Sequence, residues 1–123
     1  VGLFSLISST GVVAAVGLSG VQVSGNVSVG ALAGVNQGTV VDAWSSGSVT
    51  GVTSVGGLLG NNQGAIKAAH SAATVSATQY SGGLVGALTA TSSNSATITD
   101  SYATGSVSGT HRVGGLVGGI EIG

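Results

Sequence analysis

Asp42, Asp100 and Glu121 are the only carboxylates in this 123-residue chain, Lys67 and Arg112 the only fixed cations, and His70 and His111 the only imidazoles. Acid–base, nucleophilic or metal chemistry would have to come from these side chains and the abundant hydroxyls around them. Asp42 and Asp100 share one column of an internal repeat, two copies apart with Ala68 between them. Stacked as strands, they would stand about 9–10 Å apart. That is near the upper limit for the paired acids of an inverting glycosidase, so a polysaccharide-cleaving enzyme is the catalytic alternative. Glu121 is the only further acid, however, and the basic and polar residues of a sugar-cleaving cleft are lacking. Carboxylates on a solvated edge are the simpler reading. A relay of Ser71, His70 and Asp42 or Asp100 can be drawn, but serine is so common here that the coincidence carries no weight. Two isolated histidines, with no cysteine and no Asp-rich calcium repeat, do not make a metal site. The expectation is a protein without catalytic residues, metal or cofactor.

Two other groups of side chains have a spacing that means something. Trp44, His70 and Tyr102 recur in one column, which reads as an aromatic ladder covering an edge or, alternatively, stacking on sugar rings. Hydroxyls flank a valine in successive copies: Ser48 and Thr50, Thr74 and Ser76, Ser106 and Ser108, with Gln22 and Ser24 beginning the same two columns. Alternation along a strand puts them all on one side, about 6.5–7 Å apart along the chain and 4.8 Å apart between copies. This polar lattice is the candidate interaction face, suited to pairing with another copy or to ordering water as ice-binding solenoids do. "NVS" at 26–28 is also a glycosylation sequon, a short motif with a high chance rate.

The elements that must position these residues are repeats. Glycine-leucine boxes read "VGALAG" (29–34), "VGGLLG" (55–60), "SGGLVG" (81–86) and "VGGLVG" (113–118), with starts 26, 26 and 32 residues apart. The longer interval marks a six-residue insertion in or near "ALTATSSN", after which the register returns. Asn36, Asn62 and Asn94 then share a column, as do Val40, Ile66 and Ile98, and Val23, Val49, Val75 and Val107. Extended backwards, the register places Leu6 with Leu32, Leu58, Leu84 and Leu116, so residues 1–28 read as a degenerate first coil. Within each copy the periodicity is that of strands: "GSVTG", "TVVDAW" and the glycine-leucine box make three short extended runs. Short strands with glycine corners at a period of 26 predict an all-β parallel β-helix, each copy one coil, in four to five coils. The asparagines are expected to form a structural ladder at a turn.

Composition narrows the function classes. Only 4% of residues are charged, against roughly a quarter in ordinary soluble domains, and the net charge of −1 with two separated cations argues against nucleic acid. The apolar opening "VGLFSLISSTGVVAAVGLSG" is broken by polar residues and reads neither as a spanning helix nor as a signal peptide. With no methionine and no polar cap at either end, the chain reads as a fragment or repeat unit of something longer, or as a unit that stacks on copies of itself.

The order G-G-L-V-G, N-x-G-x-I, S-Y-A-T-G-x-V and V-G-G-L-V-G resembles the GLUG repeat of large secreted bacterial surface proteins, including filamentous-haemagglutinin-like adhesins and IgA-protease-like proteins. The resemblance covers 29–118, with "NNQGAIKAAHSAATV" (61–75) and "SNSATITDSYATGSV" (93–107) carrying its middle. It implies a right-handed parallel β-helix serving as stalk or adhesive surface, secreted or on a bacterial cell surface, and supplies no catalytic residue. The resulting reading is one solenoid segment over 1–123: a first coil at 1–28, regular coils at 29–86, an insertion loop at 87–93 and a last coil at 94–123. Its expected partners are other copies of itself or a host or cell-surface ligand, with ice binding as the alternative.

Overall fold

The computed structural model describes residues 2–90 and 96–122. Every described element is a β-strand, and every strand pairing is parallel. The first coil holds β1 (Phe4–Ile7), β2 (Val12–Ala14), β3 (Gly17–Ser24) and β4 (Val27–Gly30); the second holds β5 (Ala33–Asn36), β6 (Thr39–Val41), β7 (Trp44–Thr50) and β8 (Thr53–Gly56). The third holds β9 (Leu59–Asn62), β10 (Ala65–Lys67), β11 (His70–Ser71), β12 (Thr74–Ala77) and β13 (Ser81–Gly82). The fourth holds β14 (Val85–Ala90), β15 (Thr97–Thr99), β16 (Tyr102–Ala103), β17 (Val107–Gly109) and β18 (Val113–Gly114), and β19 (Val117–Ile122) opens a fifth.

Like strands stack into four sheets. Sheet A runs β1-β5-β9-β14-β19, sheet B β2-β6-β10-β15, and sheet D β4-β8-β13-β18. Sheet C has four rows: β3, β7, the pair β11 and β12, and the pair β16 and β17. The solenoid is therefore four or five rows deep, as the repeat count implies. Each coil has four sides rather than the three expected from sequence. The glycine-leucine box is not one strand: its first half ends sheet D and its second half begins sheet A.

The glycines of that box make a close crossing of backbones. A Cβ on Gly56 would fall on the Leu59 carbonyl, one on Gly60 on the backbone of Ser28 and Val29, and one on Gly57 on the Gly83 carbonyl and the Ser71 hydroxyl. Only a residue without a side chain fits there. This waist divides the interior into two small cores. One gathers Leu32, Leu58, Leu84, Val40 and Ile66, and the other Val29, Val49, Val55 and Val75. Full burial of each Leu or Val contributes about 1.5–3 kcal/mol, which lets a nearly uncharged chain cohere. At the waist Ser45 donates to the Gly57 carbonyl at 2.6 Å and shares a hydrogen bond with Ser71 at 2.9 Å.

Two corners recur with left-handed backbone. Ala15, Asp42, Ala68 and Asp100 have φ of 56°, 53°, 54° and 49° between sheets B and C, and Ser28, Ser54 and Arg112 have φ of 53°, 55° and 43° at the entry to sheet D. Asp and Asn tolerate this region better than other non-glycine residues, which gives Asp42 and Asp100 a structural reason to be where they are.

The register departs from the sequence expectation in two places. Leu6 pairs with Val35, not Leu32, and is 51% exposed, while Ile7 pairs with Asn36 and is buried. The first coil carries two extra residues between Ile7 and Val12 relative to Asn36 and Thr39, and one more in a bulge between Leu18 and Val21, where Gly20 has φ of 63°. Three added residues shift sheet A out of the 26-residue register and restore it by sheet C. In the fourth coil, Ala87–Ala90 are not loop: they continue β14, with Leu88 beside Asn62 and Ala90 beside Ile122. The added residues fall between Leu88 and Thr97, and Leu88 therefore holds the column position that the sequence assigned to Asn94. Asn94, like 91–93 of the expected loop, lies outside the described residues.

Candidate functional site

Sheet C carries the outward hydroxyls because alternation and burial agree along it. In β7, Val49 points into the core while Thr50 is exposed; in β12, Val75 is buried between exposed Thr74 and Ser76; in β17, Ser108 is exposed beside Val107. The register makes two columns of them: Gln22, Ser48 and Thr74, and Ser24, Thr50, Ser76 and Ser108. Ser106 continues the first column, its carbonyl accepting from the Val75 amide at 2.8 Å. The two columns run side by side on sheet C, and no side-chain hydrogen bond ties up their Ser and Thr hydroxyls among the described residues.

One edge of this sheet is aromatic. Trp44 pairs with His70 and His70 with Tyr102. Their ring centroids are 6.2 Å and 4.9 Å apart, with planes within 8° and 4° of parallel. On the far side Trp44 covers Gly17, whose missing Cβ leaves the space the indole occupies. The rings therefore cover one another's faces and offer edges to solvent, so a sugar ring finds only the outer face of Tyr102 to stack on. Aromatic pairs add about 0.5–1.5 kcal/mol beyond their burial, and the ladder ties three coils along one edge.

The asparagine ladder is internal. Asn36 Nδ2 donates to Asn62 Oδ1 at 2.8 Å and to the Ala65 carbonyl at 3.3 Å, while the Gly38 amide donates to Asn36 Oδ1 at 3.0 Å. Asn62 repeats the pattern with Gly64 and Thr97 one coil on. Both side chains are fully buried, so this is a corner lock rather than a binding site. Gln37 and Gln63 form a half-buried amide pair beside it, at 3.2 Å.

The candidates for chemistry are not brought together. Asp42 and Asp100 sit two rows apart on exposed left-handed corners, with Ala68 between them. His70 is held in the aromatic stack, and His111 stands at the far side of sheet C, in the corner with Arg112. Among the described residues no group of three His, Asp or Glu gathers as metal ligands would, and no helix is long and apolar enough to cross a membrane. Sequence reasoning missed the buried Ser45 and Ser71 pair, whose signal was the small residue repeating one place after the aromatic column. It also missed Tyr80, which occupies the serine corner column in the third coil.

The hydroxyl columns and waist glycines recur from coil to coil, and one stretch of the chain matches a known repeat. Residues 77–108 match the GLUG motif. The match begins at the end of β12 in the third coil and closes on β17 in the fourth, so the GLUG unit here is one full coil with its inserted residues. Leu84, the waist glycines Gly82 and Gly83, the hydroxyls Ser106 and Ser108 and the aromatic Tyr102 all belong to it. No curated protein and no solved structure matched the chain. The GLUG motif and the solenoid fold fit an extracellular structural or adhesive role.

Proposed function

We propose that the chain is a segment of a secreted stalk or filament on a bacterial surface, acting without catalysis by presenting sheet C for self-association or attachment. The observation that carries this is the pair of exposed hydroxyl columns on a sheet almost free of charge. Such a surface meets an identical one without charge repulsion and can exchange water for hydroxyl–hydroxyl hydrogen bonds. The corner position of Asp42 and Asp100 accounts for the two acids without a reaction.

Charging the lattice tests it. Thr50→Lys with Ser76→Lys places two cations in one column, about 4.8 Å apart. Sedimentation velocity and electron microscopy are expected to show loss of lateral association, with thermal stability nearly unchanged because both side chains face solvent. Unchanged association would overturn the reading. A second reading, ice binding, draws on the same regular spacing, although Gln22 and the mixture of Ser and Thr interrupt it. Shaped ice crystals that disappear when Thr50 and Thr74 are replaced by bulky residues would favour it over self-association.

A further inference from the structure

The entry to sheet D differs in the last two coils. The column holding Ser28 and Ser54 in the earlier coils continues as Tyr80 and Arg112, joined through the Val55 amide on the Tyr80 carbonyl at 2.8 Å and the Ser81 amide on the Arg112 carbonyl at 3.1 Å. Tyr80 packs its ring on the backbone of Gly119, where any Cβ would collide with it. The Arg112 guanidinium carbon lies 5.2 Å from the centre of that ring. Gln79, Thr110 and His111 complete a concavity of about 460 Å³ around the pair, within the usual range of ligand sites.

We propose that this corner binds the carboxylate of an acidic sugar of the hexuronate class. Arg112 is one of only two fixed cations in the chain, and among the described residues no carboxylate pairs with it. An exposed arginine normally loses much rotamer freedom on binding; the Tyr80 ring restrains this one beforehand, leaving its planar fork to meet a carboxylate bidentately. The remaining walls select the rest of the ligand. The Gln79 amide and the Thr110 hydroxyl both donate and accept, as sugar hydroxyls require, and Thr110 leads directly onto the hydroxyl-bearing sheet C. A single cation suits one carboxylate per site rather than a phosphodiester polymer, which is held by clustered cations.

One charged contact and two neutral ones in an open site correspond to a Kd on the order of 1–10 mM, raised by avidity where many copies line a surface. The test is a ¹H–¹⁵N NMR titration of the chain with sodium glucuronate, glucose, sodium acetate and sodium sulfate at matched ionic strength. Saturable shifts confined to 79–80 and 110–112 are expected for glucuronate. Acetate and sulfate should bind at least about fivefold more weakly and glucose not measurably. Arg112→Gln should abolish the shifts and Arg112→Lys weaken them about tenfold. Thr110→Val should weaken glucuronate toward the level of acetate, with Gln79 retaining the remainder, while leaving acetate unchanged. Equal affinity for acetate or sulfate, equal shifts with glucose, or shifts that survive Arg112→Gln would each overturn the proposal. None of these results bears on association through sheet C, which is read separately by sedimentation.

Discussion

Replacing Asn62 by alanine asks whether the buried amide pair, and not only the apolar columns beside it, closes the corner between sheets A and B. The Asn62 side chain accepts from Asn36 Nδ2 at 2.8 Å and from the Gly64 amide at 3.2 Å, and donates to the carbonyls of Gly64 at 3.1 Å and Thr97 at 3.3 Å. Four bonds at about 1 kcal/mol net each put the loss at about 4 kcal/mol, and the Gly64 N–H left without a partner adds to it. Gln63 is the internal control. It is the next residue and also pairs with its counterpart one coil away, at 3.2 Å, but it is half-buried. Water replaces its bond, and Gln63→Ala should cost about 0.5 kcal/mol or less. Urea unfolding followed by circular dichroism, with equal m-values for the variants, measures both. A loss below about 1 kcal/mol for Asn62→Ala, or one no larger than for Gln63→Ala, refutes the reasoning. The double replacement of Asn36 and Asn62 by leucine should cost less than the sum of the singles by at least about 1 kcal/mol, because it removes both partners of the shared bond together.

Other perturbations follow from single positions. Gly57→Ala should destabilise by about 3 kcal/mol or more, since its Cβ would strike the Gly83 carbonyl, whereas Gly115→Ala, in the same column with nothing within 4 Å, should be near neutral by thermal melting. Ala68→Asn should stabilise by about 0.5–1 kcal/mol, because Ala68 holds φ of 54° where its column neighbours Asp42 and Asp100 tolerate it; an unchanged or lower midpoint would contradict this. Ser81 lies fully buried between Val55 and Val113 with its hydroxyl unpartnered, so Ser81→Ala should raise stability by about 1 kcal/mol in the same urea assay. Trp44→Ala should cost about 2–3 kcal/mol and lower the cooperativity between the second and third coils, seen as faster hydrogen exchange in β7 and β11.

The period carried most of what could be read in advance. Val49 beside Val75 and Val107, Trp44 beside His70 and Tyr102, and Asn36 beside Asn62 are 26 or 32 residues apart, and parallel stacking turns each such interval into a contact. What repetition does not encode was not legible. The extra residues before Val12 and the bulge before Val21 belong to one coil only, so nothing in the other copies announces them, and the repeat alone puts the exposed Leu6 in the buried leucine column. The insertion is equally silent about its own position: counting 26 from Asn62 gives Leu88 and counting 32 gives Asn94, and only the hydrogen-bonded continuation of β14 decides for Leu88. The fourth side of the coil is not legible in the sequence because glycine pairs look alike in a strand and at a crossing. The Tyr80 and Arg112 corner replaces serines with larger residues in two coils only, a change that a search for likeness passes over.

In a parallel stack the backbone hydrogen bonds between coils run along the axis of the solenoid, while the covalent chain winds around it. Tension applied between the two termini therefore pulls along these bonds and peels the end coil strand by strand, and failure at one boundary leaves the chain unbroken. A released coil of 26 residues can extend to about 90 Å, where it had occupied about 4.8 Å of axis. Under load such a segment lengthens in steps, one coil at a time, dissipating work at each step. The columns that set its register also let each coil find its place again when the load is removed.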